Sequence, residues 1–328
     1  MRQFSSPLSR AWRLALCVMT MCSSAHAAPF AYLTAQKDNA VVVVDLASHA
    51  QVARIPVGKS PVGITVIDAT SRAYVTNADD GTVSVIDTAS RRVIDTWHVS
   101  GGAVGIAAST DGARVFINDW YKNTVVVFDG ISARQIARID VGKVPSGIVI
   151  DSVGMRLYVA NRDDNTVQII DTSTSGSFNI LATIATGRHP FGLALSPDRR
   201  TLIAVNVESN DVSLFDVHDP AKVRELARLK VGDTPYCVAI APDGSKAYVT
   251  NQHADSISII DLVAHRVRGS VSVGAYPEGV DFSADGKRAY VVNWMDDNVA
   301  EIDTASDKLL GFIDGGLNNR AIGKFIGN

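Results

Sequence analysis

The chain has 328 residues, 46% hydrophobic and 20% charged, with 31 basic against 34 acidic side chains and a formal net charge of −3. That balance offers no basic surface to a polyanion and so argues against a nucleic-acid partner. The length permits two domains or one large radial β fold, and internal repeats decide for one.

At the N-terminus Arg2, Arg10 and Arg13 precede an apolar run over 14–21, followed by Ala25-His26-Ala27. This is the pattern of a secretory signal peptide. The run is too short to span a bilayer and no later stretch approaches that length. The sequence therefore predicts a leader over 1–27, cut after Ala27, and a mature domain over 28–328 in the periplasm or secreted, without a membrane span. Cys17 and Cys22 belong to the leader; Leu16 and Met21 before them do not suit a lipoprotein site. With three arginines fewer, the mature chain has 28 basic against 34 acidic residues, a net of −6. Cys237 remains and reads as a small buried hydrophobe.

From residue 31 onward one unit recurs. Tyr32, Tyr74, Phe116, Tyr158, Ile203, Tyr248 and Tyr290 take equivalent positions, at steps of 42, 42, 42, 45, 45 and 42 residues. Three residues on come Ala35, Asn77, Asp119, Asn161, Asn206, Asn251 and Asn293; ten beyond each is an Asp, from Asp45 to Asp303. In the second copy the pattern predicts strands over 62–68, 73–77, 82–87 and 92–99, rich in the Val, Ile, Tyr and Thr that a pleated sheet favours. Thr110-Asp111-Gly112, Pro242-Asp243-Gly244 and Ala284-Asp285-Gly286 supply hairpin turns. The recurring Asn and Asp are expected to close the other turns by accepting backbone N–H groups.

A period in the forties built only of strands predicts an all-β, seven-bladed β-propeller of four-stranded blades. The chain starts at a second strand, 31–35, and residues 320–326 match a first strand. The C-terminal strand is therefore expected to join the N-terminal blade and close the ring without a free edge.

Ala73-Tyr74-Val75-Thr76-Asn77 and Ala247-Tyr248-Val249-Thr250-Asn251 resemble the repeat of the YVTN family of bacterial β-propellers. The turn Val57-Gly58-Lys59-Ser60-Pro61-Val62-Gly63 and the ending Arg320-Ala321-Ile322-Gly323-Lys324-Phe325-Ile326 are similar to that family too. The resemblance implies the fold. For function it implies several roles, since such propellers include surface-layer proteins, periplasmic proteins and subunits beside quinone or haem oxidoreductases.

Two sets of positions escape the repetition, and variation on a rigid scaffold is where function concentrates. After the inter-blade loops come Val62, Val104, Ser146, Phe191, Tyr236, Glu278 and Arg320. After the Asn position come Gln36, Ala78, Trp120, Arg162, Val207, Gln252 and Trp294. Both sets fall on one face, at the mouth of the central channel. The expected pocket is lined by Trp120, Arg162, Phe191, Tyr236, Glu278, Trp294 and Arg320, with His189 and His253 at its rim and Arg320 as an exposed side chain. Two guanidinium forks and several rings suit a small anionic, planar or carboxylate-bearing ligand. Asp79, Asp80, Asp163, Asp164, Glu208, Asp255, Asp296 and Asp297 read as solvated turns. No zinc or haem-attachment spacing occurs, so neither a metal nor a cofactor is expected. Two three-residue insertions, within 172–178 and 217–225, fall in adjacent blades on the opposite face.

The leading functional expectation is a non-catalytic binding or interaction protein that holds a small ligand or a periplasmic protein partner. The alternatives are a lactonase-like hydrolase, with Glu278, His189 and Arg320 as acid, base and oxyanion groups, and a propeller subunit of a quinone- or haem-dependent oxidoreductase. No Gly-x-Ser-x-Gly or His-Glu-x-x-His motif supports catalysis.

Overall fold

In the second repeat the strands run Pro61–Ile67, Arg72–Asn77, Thr82–Asp87 and Arg92–His98, within a residue of the boundaries read from sequence. Each pairs antiparallel with the next. The computed structural model describes Met1 and residues 29–174 and 176–327, and among these the four-stranded antiparallel unit recurs in seven sheets. The fold is a seven-bladed β-propeller. The expected leader, its cleavage point, Cys17 and Cys22 lie outside the described residues.

The two middle strands of a blade are buried almost throughout, whereas Arg92–His98 at the outer edge is mostly exposed. Blades pack face to face, so the apolar clusters form between them. Tyr158, Leu202 and Phe215 share one such cluster across two blades, and Phe116 and Leu157 another. Stability is therefore built from neighbour contacts around a ring.

Polar ties reinforce this. Thr76 Oγ1 accepts the Gly63 N–H at 2.8 Å and donates to Val104 O of the next blade at 2.8 Å. Thr34 and Thr250 likewise donate to Val62 O and Glu278 O, at 3.0 and 2.9 Å. The approach is so close that a Cβ on Gly63 would lie 2.3 Å from Val104 O, which requires glycine there. Arg72 and Arg114 clamp the next blade by donating to Gly130 O and Thr172 O, and Arg156 does the same to Val217 O at 3.0 Å.

The repeated Asp residues close turns as expected: Asp45, Asp129 and Asp261 each accept two backbone N–H bonds. The repeated Asn residues act differently. Asn251 is fully buried, and its Nδ2 donates to Ser256 Oγ at 3.2 Å and Ser258 Oγ at 3.0 Å instead of accepting from the backbone. Asn77 and Asn206 repeat the arrangement. Each Asn thus ties its strand to the next one within the blade. Asn251→Ala is expected to cost about 0.5–1.5 kcal/mol through loss of its side-chain bonds, read as a shift in the urea midpoint, while the secondary structure persists.

The ring closes through the C-terminus. Ile326–Gly327 pairs antiparallel with Phe30 and Ala31 and completes the blade formed by Phe30–Ala35, Ala40–Asp45 and Ala50–Pro56. Ile322–Lys324 does something the sequence did not foretell: it runs parallel to Pro61–Ile67 of the following blade. One short segment therefore grips two blades. It is pinned by Asp281, whose Oδ2 accepts the Phe325 and Ile326 N–H groups, each at 3.1 Å, and whose Oδ1 accepts that of Phe282 at 2.9 Å.

Burial raises the Asp281 carboxyl to about 6; those N–H groups and Lys324 only partly offset the rise. The folded state then holds this proton more tightly than the unfolded chain. Its contribution to stability is complete below about pH 4 and is lost as pH rises through about 6. In unfolding measurements across that window, Asp281→Asn should remove this downward slope relative to wild type. Equal slopes would show that the carboxyl titrates as in the unfolded chain.

Candidate functional site

On the face that carries the loops after the Asn positions, the first-strand residues of neighbouring blades converge on the axis. Glu278 is the second residue of the inner strand Pro277–Phe282 and is fully buried. Arg320 reaches it from the closing segment and forms a two-pronged pair, Nε to Oε2 at 2.5 Å and Nη2 to Oε1 at 2.7 Å. Gln252 Nε2 donates to Oε1 at 2.9 Å. Arg320 Nη2 also lies 3.4 Å from the Tyr236 hydroxyl.

Rings extend the cluster on both sides. Tyr236 stacks on Phe191 at 4.0 Å and 22°, and Phe191 meets Trp120 at 6.3 Å. Arg162 stands 5.8 Å over Trp120 while pairing with Asp163 at 2.7 Å. On the other flank Arg320 lies 5.4 Å over Trp294, which meets Tyr276 at 5.4 Å. His253 joins through Tyr276: its Nε2 is 2.8 Å from the Tyr276 hydroxyl and its Nδ1 is 2.8 Å from Thr234 Oγ1. A continuous band of rings and charges thus crosses the mouth.

The structure brings together Trp120, Arg162, Phe191, Tyr236, Glu278, Trp294 and Arg320, with His253 at the edge. His189 stands apart, its Nδ1 2.8 Å from Glu208 Oε1. Its backbone is left-handed at φ 54° and its N–H donates to Asn165 Oδ1, a join that Ser60, Val144 and Thr234 repeat in other blades. Sequence reasoning passed over Gln252 and Tyr276. Gln252 lies among the variable positions, but only the fold reveals that its amide faces a buried carboxylate.

One expectation needs correction. Arg320 is not an exposed side chain: 17% of it is accessible, and 1% of Glu278. Burial alone would lower the Arg320 pKa, but the Glu278 carboxylate and Tyr236 more than offset that and hold it above its ordinary value. Burial pushes the Tyr236 phenol up, and likewise the Cys237 thiol, so both stay protonated. The Trp294 Nε1 donor is buried without a hydrogen-bond partner among the described residues.

These facts limit the chemistry. Both Glu278 oxygens are engaged, so this carboxylate is not free to exchange a proton with a ligand, and the thiol is inert. Stacking faces and N–H donors are what the band offers. Among the described residues no three His, Cys, Asp or Glu side chains gather as a metal-ligand set, and no helix is long and apolar enough to cross a membrane.

Comparison with known proteins bears on the fold first. A family profile described as "Lactonase, 7-bladed beta-propeller" matches residues 45–240. No curated protein sequence matches the chain. Among solved structures, a functionally unknown protein from Desulfotomaculum acetoxidans superposes with a TM-score of 0.77 at 14% identity, covering 90% of this chain and 99% of that one. Hydrazine synthase of Kuenenia stuttgartiensis gives 0.70 at 20% identity over 79% of this chain and 87% of that one. Dihydro-heme d1 dehydrogenase NirN gives 0.68 at 16% over 88% and 64%. At such identities these similarities speak for the fold alone.

Proposed function

The chain belongs to the seven-bladed β-propeller lactonase family, and from that premise we propose that it is an exported, non-catalytic binding propeller. Its ligand is small, planar and rich in hydrogen-bond acceptors, a carboxylate included, or is a loop of a periplasmic partner that presents such a group. It lies on the band of Trp120, Arg162, Trp294 and Tyr276, with the half-buried Arg162 guanidinium as a donor. The observation that carries this reading is the saturation of Glu278 by Arg320 and Gln252. A pair locked in this way fixes the shape of a binding floor and takes the Glu278 carboxyl out of use as an acid.

Family membership favours a second reading, a lactone hydrolase with Glu278, His189 and Arg320 in the catalytic roles. The position of His189 tells against it, since its contacts are with Glu208 and Asn165 and not with the Glu278–Arg320 pair. The two are separated by native mass spectrometry of protein purified from its own compartment, combined with turnover of a lactone panel. The binding reading expects a retained small molecule or partner and no turnover above background. Lactone hydrolysis that Glu278→Gln abolishes would replace it with the enzyme reading. An Arg162→Ala variant, which removes that guanidinium, is expected to bind the retained ligand roughly 13- to 160-fold more weakly, the worth of one charged hydrogen bond at about 1.5–3 kcal/mol.

A further inference from the structure

Beneath the Glu278–Arg320 floor the channel does not fill in. A cavity of about 540 Å³ continues along the axis, with Phe191 and Cys237 at its upper end and Ala69 and Thr110, in the hairpin turns of the opposite face, at its lower end. That volume falls within the roughly 300–1,000 Å³ of small-molecule pockets. Small side chains at one inner-strand position in three blades leave room for it. Ala107, Ala194 and Ala239 pair with Phe116, Ile203 and Tyr248, so they are equivalent between blades, and all three line the cavity, as does Gly323. The walls between roof and rim are otherwise largely aliphatic, as at Ile148 and Leu193. Charge is confined to one place, where Asp68, Asp281 and Lys324 line both this cavity and a second of about 310 Å³ beside Pro29 and Pro242.

We propose that this chamber is a second binding site, distinct from the band above it, entered from the hairpin face and selective for neutral, largely apolar small molecules. Aliphatic walls supply the affinity through burial of apolar surface. Two carboxylates against one ammonium at the rim oppose an anionic head group. The band and the chamber are separated by the Phe191–Tyr236 stack and the Glu278–Arg320 pair, so occupancy of one does not require the other.

The test uses the mature protein and N-phenyl-1-naphthylamine, a neutral dye that brightens in apolar surroundings. Saturable brightening is expected. Ala194→Leu and Ala239→Leu, which put bulk into the chamber, should each weaken it about tenfold or more, whereas Ala194→Ser, which keeps the space, should retain it. Melting temperatures identify any variant that has lost its fold, and two independent positions guard against that. Absence of saturable brightening in wild type would overturn the proposal and leave a water-filled channel. Equal brightening in folded Leu variants would also overturn it, by placing the dye on the outer strands.

Discussion

Deleting residues 321–328 is expected to cost the fold most of its stability. Phe325, Ile326 and Ile322 are buried in that segment at 0%, 6% and 9% exposure. Three apolar side chains at roughly 1.5–3 kcal/mol each put the loss at about 5 kcal/mol or more, against a total of roughly 5–15 kcal/mol for a typical domain. The deletion also removes the Phe325 carbonyl that accepts the Tyr32 N–H at 2.9 Å and the Ala321 N–H that donates to Thr34 Oγ1 at 2.9 Å. Two blades lose their grip on each other, because the segment pairs with both Phe30–Ala35 and Pro61–Ile67. The bared strand edge then becomes a template for association. Calorimetry and light scattering together read this as a lower melting temperature with aggregation. An unchanged melting temperature would refute closure through the C-terminus. The single change Phe325→Ala should reproduce a large share of the loss, about 3–5 kcal/mol.

Arg320→Ala should be the most damaging single change at the mouth, at about 3–5 kcal/mol, because it leaves the fully buried Glu278 carboxylate with Gln252 as its remaining side-chain partner. Much of that cost belongs to the stranded charge and not to the attraction it lost. The double variant Glu278→Leu with Arg320→Met should therefore recover most of the stability, since replacing a buried pair by packed apolar groups is often neutral. Denaturant midpoints of the two single variants and the double form a cycle that isolates the coupling. A loss under about 0.5 kcal/mol for Arg320→Ala, the usual range of surface substitutions, would return this residue to the exposed mouth. Recovery of stability without recovery of ligand would separate the floor's structural role from its part in binding.

The fold is legible in the chain's repetition. A pattern such as Ala-Tyr-Val-Thr-Asn that returns at steps of 42 or 45 residues specifies the same local hydrogen bonds each time, so strand boundaries in the blade over 61–98 are readable to within a residue. The Asp turns were legible for the same reason, because a carboxylate accepts from N–H groups two or three residues ahead of it. Closure was legible because 320–326 looks like a missing first strand. Tertiary structure decided everything that depends on which blades touch. Thr76 reaching Val104 and Arg156 reaching Val217 are contacts whose partners are set by packing between blades. So is the double role of Ile322–Lys324. The variable residues at the mouth stand out in the sequence as a group that departs from the repeat, and seven of them, from Trp120 to Arg320, share one band in the structure. Their chemistry was not readable, since Glu278 and Arg320 stand 42 residues apart and become a neutralised, buried pair only when the ring closes. The chamber below them was invisible for a related reason. An alanine in a strand reads as weak sheet propensity, and only seven strands arranged about one axis turn three such alanines into an opening.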